Sequence, residues 1–193
     1  MLLAITPGDG RELAPWIETL ADAGLRALLI REPELEAAAL ASLARRAAAR
    51  IAEVVLHERN PHARTVAAEL GLAVHSRVAS AHSAADLDRA FATGARWALL
   101  SPVFAPTSKP DDDRPPLGIA TFLTWAAGRP VLALGGVTPE RHGHLVAAGA
   151  FGSAVLGGLF GARDPVAAAV MLRKYSACGR GDSNPHAISG TGS

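Results

Sequence analysis

Cysteine is almost missing from this chain. With Cys178 as the single example, neither an intrachain disulfide nor a multi-cysteine zinc site can form. Aromatic residues make up only 5% of the 193 residues, so a core has to be assembled from Ala, Leu and Val. No apolar run approaches the roughly 18 residues of a membrane span, and Asp9, Arg11 and Glu12 come too early for a secretory leader. An excess of charge is also absent: 19 Lys+Arg against 18 Asp+Glu leave a formal charge of +1. That balance excludes the broad basic field of a dedicated nucleic-acid or anionic-membrane binder. Lysine is scarce, with only Lys109 and Lys174 beside 17 arginines, so each lysine position invites the question of what a compact point charge does there. These absences predict a soluble, cytoplasmic protein with no nucleic-acid or membrane partner. A homo-oligomer is left open.

What is present is a repeat: a short apolar run, a turn, then an Ala- and Leu-rich stretch with helical spacing. Leu2 to Thr6, Leu25 to Ile30, Ala52 to Leu56, Leu72 to Val74, Trp97 to Leu100, Val131 to Leu134 and Ser153 to Leu156 read as buried strands. Helices are expected between them, several closed by a glycine (Gly24, Gly71, Gly94, Gly149), and Thr138-Pro139 supplies an N-cap and a proline at the first helical position. Continuously apolar strands alternating with helices argue for a parallel sheet covered by helices. A doubly wound sheet and a (β/α)8 TIM barrel both satisfy that pattern. The barrel is favoured because glycine pairs, Gly135-Gly136 and Gly157-Gly158, follow the last two strands, where barrels commonly hold phosphate. The expected organisation is one TIM-barrel-like domain over residues 1–177, with a disordered tail over 178–193. A crossover between parallel strands takes about a dozen residues, and none fits between Val74 and Ala79, so the barrel is expected to be abbreviated around strands four and five.

Three groups of residues are suited to chemistry. Glycines at 135, 136, 157 and 158 let backbone N–H groups approach an oxyanion, although glycine also simply permits tight turns. The loop Ser101-Pro102-Val103-Phe104-Ala105-Pro106-Thr107-Ser108-Lys109-Pro110 follows a strand and is stiffened by prolines. There Thr107 and Ser108 can donate to phosphate oxygens, and Lys109 adds a cation. His57 and His75 at strand ends are a further, weaker pairing for a metal.

Together these strings resemble the thiamine-phosphate synthase / thiazole tautomerase superfamily, over about residues 2 to 174. The matching strings are Ser101 to Pro110, Ala79-Ser80-Ala81-His82-Ser83, Ile30-Arg31-Glu32, Leu134-Gly135-Gly136-Val137 and Ala154-Val155-Leu156. The synthase members carry G-P-V-F-P-T-x-T-K, L-R-E-K, G-V-S-x-H-S and I-G-G-I at these places. The resemblance implies a (β/α)8 barrel that joins a pyrimidine diphosphate to a thiazole phosphate and releases pyrophosphate, with Mg²⁺ as cofactor. It assigns Arg31 to the diphosphate, Ser80 to the pyrimidine site and Lys109 to the departing pyrophosphate. Gly135, Gly136, Gly157 and Gly158 fall to the thiazole phosphate, with Thr107, Ser108 and His82 nearby. Three departures stand out. The lysine of L-R-E-K is Pro33, the metal-binding N-D-R reads His57-Glu58-Arg59, and the second metal-binding aspartate, which follows strand four in the family, has only Ser76 to Val78 in its place. The resemblance thus implies an eroded metal site with Glu58 as the one candidate ligand for magnesium. The tautomerase histidine is Pro102, so the synthase pattern fits better. A non-catalytic binder of thiazole or thiamine phosphate, or a related reaction on a phosphorylated heterocycle, are the alternatives.

Overall fold

The computed structural model describes residues 1–74, 78–105 and 114–178. Eight strands alternate with helices: β1 (Leu2–Ile5), α1 (Ala14–Asp22), β2 (Ala27–Ile30), α2 (Ala37–Ala48), β3 (Glu53–Leu56), α3 (Ala63–Leu70), β4 (Ala73–Val74), β5 (Val78–Ala81), α4 (Ala84–Ala92), β6 (Trp97–Leu100), α5 (Gly118–Ala126), β7 (Val131–Ala133), α6 (Pro139–Ala147), β8 (Gly152–Val155), α7 (Gly157–Phe160) and α8 (Pro165–Cys178). All strand pairs are parallel. The order β4-β3-β2-β1-β8-β7-β6-β5 bends into a nearly closed barrel with β4 and β5 as its two ends. The abbreviated (β/α)8 architecture, favoured over a doubly wound sheet by the glycine pairs after the last two strands, is therefore the one observed.

Period-two alternation within each strand separates two apolar layers. Leu3, Ile5, Ala27, Leu29, Val55, Val78, Trp97, Leu99, Leu132 and Ala154 fill the barrel interior. Their neighbours, such as Ala4, Leu28, Ile30, Ala98 and Leu100, pack outward against the helices. Strands that bury both faces need continuous apolar sequence, which is why they were legible as runs. At 25 cal/mol per Å², each fully buried Leu or Ile contributes about 1.5–3 kcal/mol, so this double layer supplies most of the stabilisation.

Only residues 75–77 separate β4 from β5, too few for the crossover helix that a parallel pair needs. These two strands therefore stand at the two ends of the sheet order, whereas every other consecutive pair is joined through a helix and paired. Across this interruption the Arg96 guanidinium, at the foot of β6, bonds Glu53 on β3 at 2.6 Å and lies 4.8 Å over the Trp97 ring. That contact ties the two sides of the barrel where backbone pairing stops.

The final helix runs to Cys178, the first residue of the expected tail, because Ala168, Ala169 and Leu172 dock α8 into the helical layer and carry it on. Gly157 and Gly158, which follow the last strand, open a short helix, α7. The rest of the expected tail, residues 179–193, lies outside the described residues, as do His75, Thr107, Ser108 and Lys109. No helix among the described residues is long and apolar enough to cross a membrane.

Candidate functional site

The two-residue alternation that buries Leu29, Val55, Val78 and Leu99 in the barrel interior carries Arg31, His57, Ser80 and Ser101 to the inward register at the strands' C-terminal ends. In barrels of this architecture that end is where loops assemble chemistry. The sequence-assigned Arg31 and Ser80 thus share one mouth, together with the glycines of the last two strand ends.

Arg31 is held by the neighbouring loop. Its backbone N–H donates to Thr6 Oγ1 at 2.8 Å, and its guanidinium donates to the Pro7 carbonyl at 3.2 Å. Next to it Glu32, only 4% exposed, accepts from the Gly8 N–H at 2.9 Å. Asn60, 3% exposed, donates to the carbonyls of Glu32 and Leu35 at 2.8 and 2.7 Å and caps the following turn by accepting from the His62 N–H. The loops after β1, β2 and β3 are stapled together by these bonds. Sequence reasoning missed Thr6, Glu32 and Asn60 in this role. Their partners lie 24 to 28 residues away, so nothing local marks them.

Glu58 turns toward α3, where its carboxylate pairs with Arg64 at 2.6 Å, and His57 Nδ1 accepts from the Arg59 N–H at 3.0 Å. Among the described residues no group of three or more His, Cys, Asp or Glu gathers to hold a metal. Magnesium is ordinarily held by one or two carboxylates together with substrate phosphates.

On the opposite lip, His82 Nδ1 lies 2.8 Å from the Ser101 carbonyl, 3.4 Å from Ser101 Oγ and 2.6 Å from an Arg114 Nη1. The guanidinium can only donate and the carbonyl can only accept, so Nδ1 serves one of them at a time: as a lone pair it accepts from Arg114, and as N–H it donates to the Ser101 carbonyl. Behind the ring, Asp86 accepts from the His82 N–H at 2.9 Å, and Ser83 caps α4. The His82 and Ser83 hydrogen bonds hold the Asp86 carboxyl below its ordinary range. Arg114, which follows the Lys109 loop, was not singled out from the sequence; an arginine in a chain with 17 of them carries no signal of its own.

The glycine pairs do come together. Gly135 and Gly136 have φ of +93° and +59°, and a Cβ on Gly136 would sit 2.4 Å from the Ala105 carbonyl oxygen. That closeness lets the 102–105 segment lie on the β7–α6 loop, with the Val103 N–H donating to the Leu134 carbonyl at 2.8 Å. Arg141 donates to the Gly136 carbonyl at 2.6 Å and stacks 4.9 Å over the Phe104 ring. From the next strand end, Gly158 meets the same loop: a Cβ there would be 2.1 Å from the Val137 carbonyl oxygen. Both the tight-turn role and the close approach of backbone are thus real at this corner, and the two pairs line one lip.

Residues 73–159 match the family model described as thiamine monophosphate synthase. The thiamine-phosphate synthase of Methanoculleus marisnigri is 40% identical over 106 residues, which cover 54% of this chain and 50% of that protein. That of Halorhodospira halophila is 37% identical over 90 residues, covering 45% and 43%. The chain spans about half the length of the curated relatives it matches. In three dimensions it is similar to a thiamine phosphate pyrophosphorylase from Pyrococcus furiosus, with a TM-score of 0.73 at 18% identity over 93% of this chain and 96% of that one. The resemblance drawn from the motifs therefore holds in sequence over residues 73–159 and in fold over nearly the whole chain.

Proposed function

We propose that this chain, similar in sequence to thiamine-phosphate synthases over 73–159, is a transferase of thiamine biosynthesis that joins a pyrimidine diphosphate to a thiazole phosphate. The observation that carries the reading is the sequence match itself, because the matched stretch holds Ser80, His82, Thr107, Ser108, Lys109 and all four glycines, Gly135, Gly136, Gly157 and Gly158. In the reaction the bond between the pyrimidine methylene and the diphosphate oxygen breaks, the oxygen keeping the electron pair. The thiazole nitrogen closes a new C–N bond to that methylene.

Positioning and charge are what the protein supplies to such a step. Arg31, anchored through Pro7 and Thr6, offers its remaining N–H groups to the diphosphate. Lys109 meets the negative charge that grows on the leaving oxygens, while Thr107 and Ser108 donate to them. Ser80 lines the pyrimidine, His82 borders the phosphate groups, and the backbone of Gly135, Gly136, Gly157 and Gly158 receives the thiazole phosphate. Magnesium, when bound with the diphosphate, adds positive charge at those oxygens, and Glu58 is the carboxylate nearest in sequence pattern to that task. A second reading, a binder of thiazole or thiamine phosphate without turnover, is favoured by Pro33 in place of lysine and by the Glu58–Arg64 pair.

Incubation with both substrates and Mg²⁺ tests the proposal. Thiamine phosphate should form with stoichiometric pyrophosphate, and Lys109→Ala should slow turnover about a hundred-fold, the usual cost of removing one well-placed charge-stabilising group, with thiazole-phosphate binding intact. Parental turnover in Lys109→Ala would remove that residue from the chemistry. Tight thiazole-phosphate binding by a parent that forms no product would establish the binder.

A further inference from the structure

The N-terminal ends of the strands, opposite the candidate site, surround a cavity of about 740 Å³. In a complete barrel this face is packed and serves stability. Here small residues at the strand entrances, Gly24, Ala27 and Ala52, leave it open, and the volume falls within the range that small ligands occupy. The walls are mixed: Leu25, Phe151 and Leu172 supply apolar surface, and Glu53, Arg96 and Ser176 supply polar groups.

Its charge is one-sided. The acid on the wall, Glu53, is already matched by Arg96 at 2.6 Å. Arg26 and Arg173 also line the cavity, both exposed at its rim, and neither is in an ion pair among the described residues. Arg173 is also held in place. A Cβ at Gly24 would lie 2.5 Å from its Cδ, so the absence of a side chain at 24 is what lets the Arg173 stem rest on that turn. Two guanidiniums outside any ion pair among the described residues, beside the matched Glu53–Arg96 pair, leave the rim of this chamber with an excess of positive charge.

We propose that this cavity is a second binding site, for a small organic phosphate monoester whose apolar or aromatic body enters the chamber and whose phosphate is held by Arg26 and Arg173. A planar guanidinium suits phosphate, and a dianion matches two cations. The inference does not rest on the transferase reading, since none of these residues belongs to the C-terminal mouth.

Phenyl phosphate is the probe, titrated calorimetrically into the full chain. It should bind the parent and the Arg31→Gln variant, altered at the opposite face, alike. The Arg26→Gln/Arg173→Gln double variant, altered only at exposed positions, should bind at least ten-fold more weakly. Inorganic phosphate and phenol, each lacking half of the recognised chemistry, should bind more weakly than phenyl phosphate. The proposal is overturned if the parent does not bind phenyl phosphate, if the double variant binds it as the parent does, or if inorganic phosphate binds equally well.

Discussion

A methyl group at position 136 has nowhere to go. Its nearest neighbours would be the Ala105 carbonyl oxygen at 2.4 Å and Phe104 Cβ at 2.9 Å, and the residue sits at φ +59°. Gly10, at φ +79°, faces open space, so a methyl there meets only the backbone penalty. Gly10→Ala should therefore cost about 1 kcal/mol, while Gly136→Ala should cost about 3 kcal/mol, adding overpacking to left-handed strain. Urea unfolding of the two variants checks the difference, and equal costs would show that the 102–105 segment yields easily. The glycine pairs were legible because a doublet at the end of a buried run has few other uses. Thr6, Glu32 and Asn60, which pin the loops beneath Arg31, were not. A buried polar side chain is identified by its partner, and these partners arrive from other strand ends.

Helix α6 shows what an element adds to its residues. Thr138 and Pro139 mark its start in the sequence, and the Thr138 hydroxyl accepts from the Arg141 N–H as a cap should. Its interior histidine was silent. His142 is fully buried, bridging Ser153 on β8 and Ser176 on α8, each at 2.8 Å. The Ser176 hydroxyl donates to the Leu172 carbonyl, so it accepts from Nε2–H, and Nδ1 accepts from Ser153. Burial, helped by the N-terminal ammonium, pushes the imidazole down to about 4 from 6.5. The folded state thus resists a proton that the unfolded chain takes up below 6.5. Stability contributed by neutral His142 is complete above that pH and is lost as the pH falls toward 4. Between pH 7 and pH 5 the loss should be about 2 kcal/mol. Denaturation midpoints at the two pH values should show it in the parent and much less in His142→Gln; equal slopes would mean that His142 reaches water.

At the scale of the whole molecule the governing feature is the interruption between β4 and β5. Each of these strands pairs on one side only, whereas β1 and β8 lie inside the sheet order. An edge N–H exchanges through local opening that costs less than unfolding the core. Amides of Ala73–Val74 and Val78–Ala81 should exchange fastest among the strands, and Arg96→Ala, which removes the contact to Glu53, should speed them further. Uniform protection around the barrel would mean that another chain completes the ring in solution.

The alternation of strands and helices, the parallel pairing and the place where the sheet is cut short were legible in the sequence alone, whereas its curling into a barrel, which a doubly wound sheet would have matched equally in pattern, was decided by the tertiary structure. Buried parallel strands must be apolar on both faces, helices must show their spacing, and a crossover cannot be built from residues 75–77. Family resemblance in the glycine and Ser101 to Pro110 strings was equally local, since each motif lies within one strand end and its loop. Only the tertiary structure decided which polar groups meet: Glu32 with Gly8, His82 with Arg114, His142 with two serines, Glu58 with Arg64 instead of a second acid. It alone decided that Arg26 and Arg173 share a chamber. Such pairings depend on how strands far apart in the chain are set side by side, and a one-dimensional pattern carries no term for that distance.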